Sequence, residues 1–140
     1  KGPQSFKHMT TVGEPIEPKA WKWYYEQVGK GKAVICDTWW QTENGGFLCS
    51  TIPALDKMKP GSAGPGLPGI YPFIVDDDGN ELPQGSGKAG NLCIRNPWPG
   101  IMQTIWGDDQ RYVDTYYKRF CRDPNSKDWR DWPYISATVP

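Results

Sequence analysis

The chain has 140 residues, rich in glycine (16), proline (14), tryptophan (8) and tyrosine (7), which describes a loop-rich protein with large aromatic anchors and excludes a disordered one. Sixteen basic against sixteen acidic residues give a net charge of zero, removing the electrostatic footprint of a nucleic-acid or acidic-membrane binder. No apolar run approaches the ~20 residues of a membrane span and no signal-like leader opens the chain, so a cytoplasmic protein is expected.

Residues 1–8 are polar and lack periodicity, so they read as a disordered or tag-like leader ending near His8-Met9. Met9-Thr10-Thr11-Val12 is a short strand stopped by Gly13. Glu17-Pro18 opens a helix, with proline at a first-turn position where its missing N–H does little harm. Trp21, Tyr24, Tyr25 and Val28 fall at i, i+3, i+4 and i+7, one amphipathic stripe, and Gly29 ends the helix. A strand over 33–37 follows after a short connection. Strand, helix and strand in this order fit a right-handed crossover in a parallel sheet.

Cysteines at 36, 49, 93 and 121 show no close-pair metal spacing, and His8 is the sole histidine, which argues against a zinc site. Cys36 and Cys93 lie inside apolar strand-like runs, so free buried thiols are expected rather than disulfides.

From Gly46 onward the pattern changes. Phe47 to Ile52 reads as a strand, and Lys59 to Gly69 as a Pro/Gly-rich surface segment. Ile70 to Val75 is a strand that Pro72 confines to an edge or bulge. Asp77-Asp78-Gly79-Asn80 is a hairpin turn leading to Glu81-Leu82, and a Gly-rich turn over 84–90 precedes a strand from Asn91 to Arg95. Short strands separated by turns predict a small antiparallel barrel. Asp108 is a candidate N-cap for a last helix, with Tyr112, Val113, Tyr116, Tyr117 and Phe120 on its apolar face. A charged loop over 121–133 and a short strand from Tyr134 to Val139 complete the reading.

The most informative run is Asp37-Thr38-Trp39-Trp40-Gln41-Thr42-Glu43-Asn44-Gly45-Gly46. A buried strand opening into such a polar loop fits a ligand crevice at the carboxyl end of a parallel sheet. With Thr11-Val12-Gly13-Glu14-Pro15 upstream, it resembles the adenine- and acyl-recognition loops of AMP-forming acetyl-CoA synthetases (acetate–CoA ligases), in the adenylate-forming superfamily. The resemblance spans roughly Met9 to Tyr134. It takes in Lys59-Pro60-Gly61-Ser62-Ala63, Val75 to Asn80, Gly90 to Ile94, Trp98-Pro99-Gly100 and Gly107-Asp108.

The resemblance implies an α/β plus β organisation. Residues 9–46 would end an α/β nucleotide-binding subdomain, and residues 47–140 would form an incomplete β-barrel-like subdomain. It implies ATP/AMP, acetate and CoA as ligands and Mg2+ as the metal accompanying ATP. Gly13, Glu14, Pro15, Asp37, Thr38, Trp39, Trp40, Gln41 and Thr42 would surround the nucleotide. Thr42 and Glu43 match the family's catalytic pair, with the Thr42 hydroxyl on the α-phosphate and Glu43 beside the metal. Val12 and Trp40 match the wall of the acyl pocket.

Each assignment has a plainer competitor. Thr42 would serve as a helix cap and Glu43 as a solvated first-turn residue. Gly13-Glu14-Pro15 would be a strand-to-helix turn, and Trp40 a core anchor. The chain lacks a Gly/Ser/Thr-rich phosphate loop, and Ala137-Thr138 stand where the family has a Gly-Asp pair whose aspartate holds the ribose. Isolated, the chain is therefore expected to be inactive. Two alternatives remain: an aromatic-rich carbohydrate-binding module, and a propionyl-specific ligase.

Overall fold

The structure, a computed structural model, describes residues 5–136, so the expected Ala137-Thr138 departure and the end of the final strand lie outside the described residues. The chain divides into two compact units, up to Pro68 and from Gly69 onward.

In the first unit, β1 (His8–Thr11) and β2 (Val34–Trp39) pair in parallel, with His8 opposite Val34 and Thr11 opposite Asp37. Helix α1 (Pro18–Trp23) joins them. It starts where the sequence predicts, with Pro18 at the first helical position; the structure adds a cap, in which extended Glu17 accepts on its carboxylate from Ala20 N at 2.9 Å. The second half is not regular α-helix. Tyr24–Val28 form a π-helical turn, closed by Gly29 N donating to Tyr24 O at 3.0 Å. All four residues of the expected stripe (Trp21, Tyr24, Tyr25 and Val28) still pack on the core of Met9, Ala33 and Ile35. Gly29 is required by close approach, since a Cβ there would lie 2.6 Å from Met9 Cε and 2.8 Å from Tyr25 O. It does not adopt a left-handed cap (φ −75°); that conformation falls to Lys30 and Gly31.

β3 (Cys49–Ser50) pairs antiparallel with β2, giving a mixed sheet of order β1-β2-β3. It is shorter than the strand expected over 47–52, and it joins the same sheet as the two strands before it.

In the second unit, β4 (Pro72–Val75), β5 (Asn91–Ile94) and β6 (Tyr134–Ile135) form an antiparallel sheet of order β4-β5-β6. Among the described residues it is an open three-stranded sheet. Pro72 begins an edge strand, where a missing N–H is harmless. The turn after β4 is tied by Asp76, whose carboxylate accepts from the main chains of Asp78 and Asn80 and from the Asn80 amide. The Asn80 bonds hold its carboxyl below the ordinary carboxylate range. Helix α2 (Asp109–Tyr116) starts on the expected cap, with Asp108 accepting from Arg111 N at 3.0 Å. Beyond it, Tyr134 is enclosed by Trp98 edge-on at 5.1 Å, Tyr116 stacked at 5.6 Å and Tyr117 edge-on at 5.8 Å. Val75, Cys93, Phe120 and Ile135 form the core below. Burial pushes the Tyr117 phenol up, aided by its bond to Tyr112.

Among the described residues no helix is long and apolar enough to cross a membrane. The four cysteines are free, and three of them are buried. Burial pushes the Cys49 and Cys93 thiols up to about 11. Because the folded thiol holds its proton more tightly than the unfolded one, these residues favour folding below the ordinary thiol pKa. Their contribution is lost as pH rises towards 11. At pH 8 an alkylating reagent should therefore modify Cys121 first, and Cys36, Cys49 and Cys93 only at the rate of unfolding. Simultaneous modification of all four in native buffer, read by mass spectrometry, contradicts this burial.

Gly90 offers a second check. A Cβ there would fall 2.3 Å from Val75 O and 2.7 Å from Ile74 Cγ2. Gly90→Ala should cost about 1–3 kcal/mol, as overpacking does. An unchanged denaturation midpoint, followed by near-UV circular dichroism, contradicts that packing.

Candidate functional site

The parallel pairing of β1 and β2 brings their carboxyl ends to one edge of the first sheet. Two loops leave from there: Gly13-Glu14-Pro15 from β1, and the run after Asp37 from β2. Gly13 has φ +102°, a conformation that glycine adopts without steric cost, and it turns the chain away from the sheet.

The strand ends are fastened by a polar clasp. Asp37 is only 4 % exposed. Its Oδ1 accepts from Thr11 Oγ1 at 2.8 Å and from the Thr38 main-chain N at 3.0 Å. Thr38 Oγ1 donates back to Thr11 O at 2.8 Å. One carboxylate oxygen of Asp37 is thus committed to holding the site together.

Between the two loops lies a small concavity of about 60 Å3. Of the residues expected around a nucleotide, Gly13, Glu14, Pro15, Asp37, Thr38 and Trp39 line it. Gly61 and Ala63 line it as well. Neither was singled out as a site residue by sequence, although both lie in the Lys59-Pro60-Gly61-Ser62-Ala63 stretch. Gly61 is left-handed at φ +72°, a conformation the sequence did not mark beyond the presence of the glycine.

The other expected residues are not part of this lining. Gln41 is extended, and Thr42–Asn44 form a 3-10 turn closed by left-handed Gly45. Thr42 is exposed, Glu43 half-buried and Asn44 buried. Trp40 is 44 % exposed and meets Phe47 edge-on at 6.1 Å. Val12 is 54 % exposed. A space of 60 Å3 is far below the ~300–1,000 Å3 of a complete small-molecule pocket, so it accommodates one edge of a ligand. No group of three or more His, Cys, Asp or Glu that could hold a metal occurs among the described residues.

A family model for "AMP-binding enzyme" matches residues 1–106. The chain belongs to the AMP-binding enzyme family. It is similar to proteins named acetyl-coenzyme A synthetase in several bacteria. With that of Streptomyces coelicolor it is 48 % identical over 116 residues, covering 83 % of this chain and 18 % of that protein. For Mycolicibacterium smegmatis the figures are 50 % over 120 residues, with 83 % and 13 % covered. For one Campylobacter jejuni protein they are 46 % over 115 residues, with 82 % and 17 % covered. The chain thus spans less than a fifth of the length of these curated relatives.

The clasp makes a direct prediction. Thr11→Val removes one of the donors to a buried carboxylate oxygen and should destabilise the first unit by about 1–3 kcal/mol. Thr11→Ser, which keeps the hydroxyl, should recover most of that. A loss in urea titrations of Thr11→Ser that exceeds that of Thr11→Val would locate the effect in the side-chain methyl, which valine keeps and serine lacks, rather than in the bond to Asp37.

Proposed function

We propose that this chain is the adenine- and acyl-side segment of an AMP-forming acetate–CoA ligase. Such an enzyme joins acetate and ATP to acetyl-adenylate and pyrophosphate, then passes the acetyl group to the thiol of CoA. The observation that carries the reading is the shared concavity. Two loops far apart in sequence, each resembling a nucleotide-site loop, leave neighbouring parallel strands at the same end, where open α/β sheets bind ligands. The names of the relatives support the same substrates.

The first chemical step brings two anions together. The site must therefore align the acetate oxygen with the α-phosphorus and offset developing charge; positioning and fixed dipoles supply most of this. In this reading Gly13, Glu14 and Pro15 pass the adenine, with the glycine allowing close backbone approach. Asp37 fixes the strand end, so that Thr38, Trp39 and Gln41 flank the adenosine. The Thr42 hydroxyl, exposed at the start of its turn, donates to an α-phosphate oxygen. Val12 and Trp40 bound the acetyl methyl group.

Glu43 is the carboxylate that would hold Mg2+. A single protein carboxylate suffices for this ion, which keeps waters and binds largely through substrate phosphates. When bound, the ion would neutralise phosphate charge. The remaining walls of the nucleotide site, far larger than 60 Å3, would come from the rest of a protein as long as the relatives.

By the same reading β4, β5 and β6 are part of a small barrel, the sequence boundary between the two subdomains falls near Gly46, and the parent enzyme works in the cytoplasm. The 140 residues alone would not make acetyl-adenylate, because they contain no phosphate loop.

The test uses a protein of the relatives' length that contains this segment. kcat/KM should fall from acetate to propionate to butyrate. Trp40→Gly should invert that order, each added methylene recovering up to ~1–3 kcal/mol as it fills the vacated volume. If the variant lowers kcat/KM for all three acids by the same factor, Trp40 is a structural anchor and the acyl-pocket assignment fails.

A further inference from the structure

The charged segment over 121–133 takes no part in the site above, yet it lines a larger, open cavity in the second unit. This cavity is about 240 Å3 and lies beside β5 and β6. Its walls are aromatic and aliphatic: Ile94 from β5, Tyr134 from β6, Tyr117, and Trp129 and Trp132 from the segment itself. Trp132 is fixed in place, with Nε1 donating to Ser126 O at 2.9 Å, and Ser126 Oγ accepts from Asp128 N at 3.0 Å.

The charge of the lining is one-sided. It includes Arg95 and Lys127 and no acidic residue. Arg95 is already neutralised by a two-bond contact with Glu81, at 2.9 and 2.8 Å, and its guanidinium lies over Phe73. Lys127 is exposed and makes no ion pair among the described residues. Most other polar groups of the wall are spent within the fold: the Asn96 amide N–H groups go to Gly69 O and Pro97 O, and the Tyr117 hydroxyl meets that of Tyr112, while the buried Asn96 Oδ1 has no hydrogen-bond partner among the described residues. The cavity thus offers flat apolar surfaces, one uncompensated cation and one unpaired amide oxygen.

We propose that this cavity binds a single-ring aromatic carboxylate, with its ring among Trp129, Trp132 and Tyr134 and its carboxylate on the Lys127 ammonium. The volume, just below the usual ~300–1,000 Å3 range, suits one ring with a short acid arm. A sugar fits less well, because its several hydroxyls would meet walls that offer few unpaired polar atoms beyond Asn96 Oδ1, leaving most of those hydroxyls unsatisfied. The site is independent of the acetate–CoA ligase reading and does not depend on it.

The test is calorimetric titration of the 140-residue chain with phenylacetate, phenylacetamide, acetate and methyl α-glucoside. Phenylacetate should bind saturably, about tenfold or more tighter than its neutral amide. It should also shift the Trp132 indole N–H resonance, while acetate and the glucoside do neither. Lys127→Met, which keeps the alkyl stem, should abolish the preference for acid over amide and leave amide binding unchanged. Trp129→Ala, at a half-exposed position, should weaken both ligands. Absence of saturable phenylacetate binding overturns the proposal, as does equal affinity for acid and amide, an unchanged preference in Lys127→Met, or binding of the glucoside in place of the acid.

Discussion

The candidate site depends on a carboxylate buried at the last paired position of two parallel strands. An ionised Asp37 side chain removed from water is costly unless hydrogen-bonded, and its Oδ1 is met by Thr11 Oγ1 and Thr38 N. Thr11 sits opposite Asp37 only in the observed register. A slip of one residue would separate them and turn every β1 side chain to the other face. β1 has little apolar pattern of its own to set register, since Met9 is its one buried residue. The polar pair at its end adds what the hydrophobic pattern lacks. The loops beginning at Gly13 and Trp40 inherit their positions from this clasp.

The helix between the two strands sets how closely β1 and β2 are covered. Trp21 and Tyr25 stack at 5.3 Å, and the Tyr25 hydroxyl donates to Gly31 O at 2.8 Å, tying the helix to the turn that re-enters the sheet. The π turn widens the second half of the helix so that Tyr24, Tyr25 and Val28 all reach the sheet before the chain descends at Gly29. An uninterrupted α-helix repeats every 3.6 residues and would carry the stripe round more evenly. The local widening is the cost of packing three large side chains and a glycine against Met9 and Ile35.

Much of this was legible in the sequence because it rests on local chemistry. The Glu17-Pro18 start, the Asp108 cap, the Asp77–Asn80 turn and the edge position of Pro72 each follow from local chemistry, although the Asp76 carboxylate that ties the turn was not singled out. The parallel pair followed from strand, helix and strand in close succession. What could not be read depended on partners distant in the chain. Nothing within Tyr24–Val28 marks a π turn, and the close approach of Gly29 to Met9 that accompanies it involves a residue twenty positions away. β3 is only Cys49–Ser50, opposite Trp39 and Thr38, and Ile52 beyond it is engaged in a turn of its own, its N donating to Asp56 Oδ2 at 2.8 Å and its O accepting from Leu55 N at 3.1 Å. The contribution of Gly61 and Ala63 to the concavity needed the fold of the 59–69 segment, not its composition.

Trp40 shows how far local pattern and global packing can diverge. An indole that walls a pocket must resist displacement by a ligand's extra methylene, which is worth ~1–3 kcal/mol. Its described aromatic support is one edge-on contact with Phe47, a ring itself 50 % exposed. Such a pair contributes ~0.5–1.5 kcal/mol, the same order as the discrimination it would enforce. One edge contact therefore cannot make a stiff wall, and a rotamer change would admit the longer chain at little cost. If Trp40 sets acyl length, a second surface must back the indole on its exposed side. Exposed Val12, Trp40 and Phe47 at one end of the parallel pair are the apolar area such a surface would cover. Size selection at this site is then a property of what closes over the segment as much as of the segment itself.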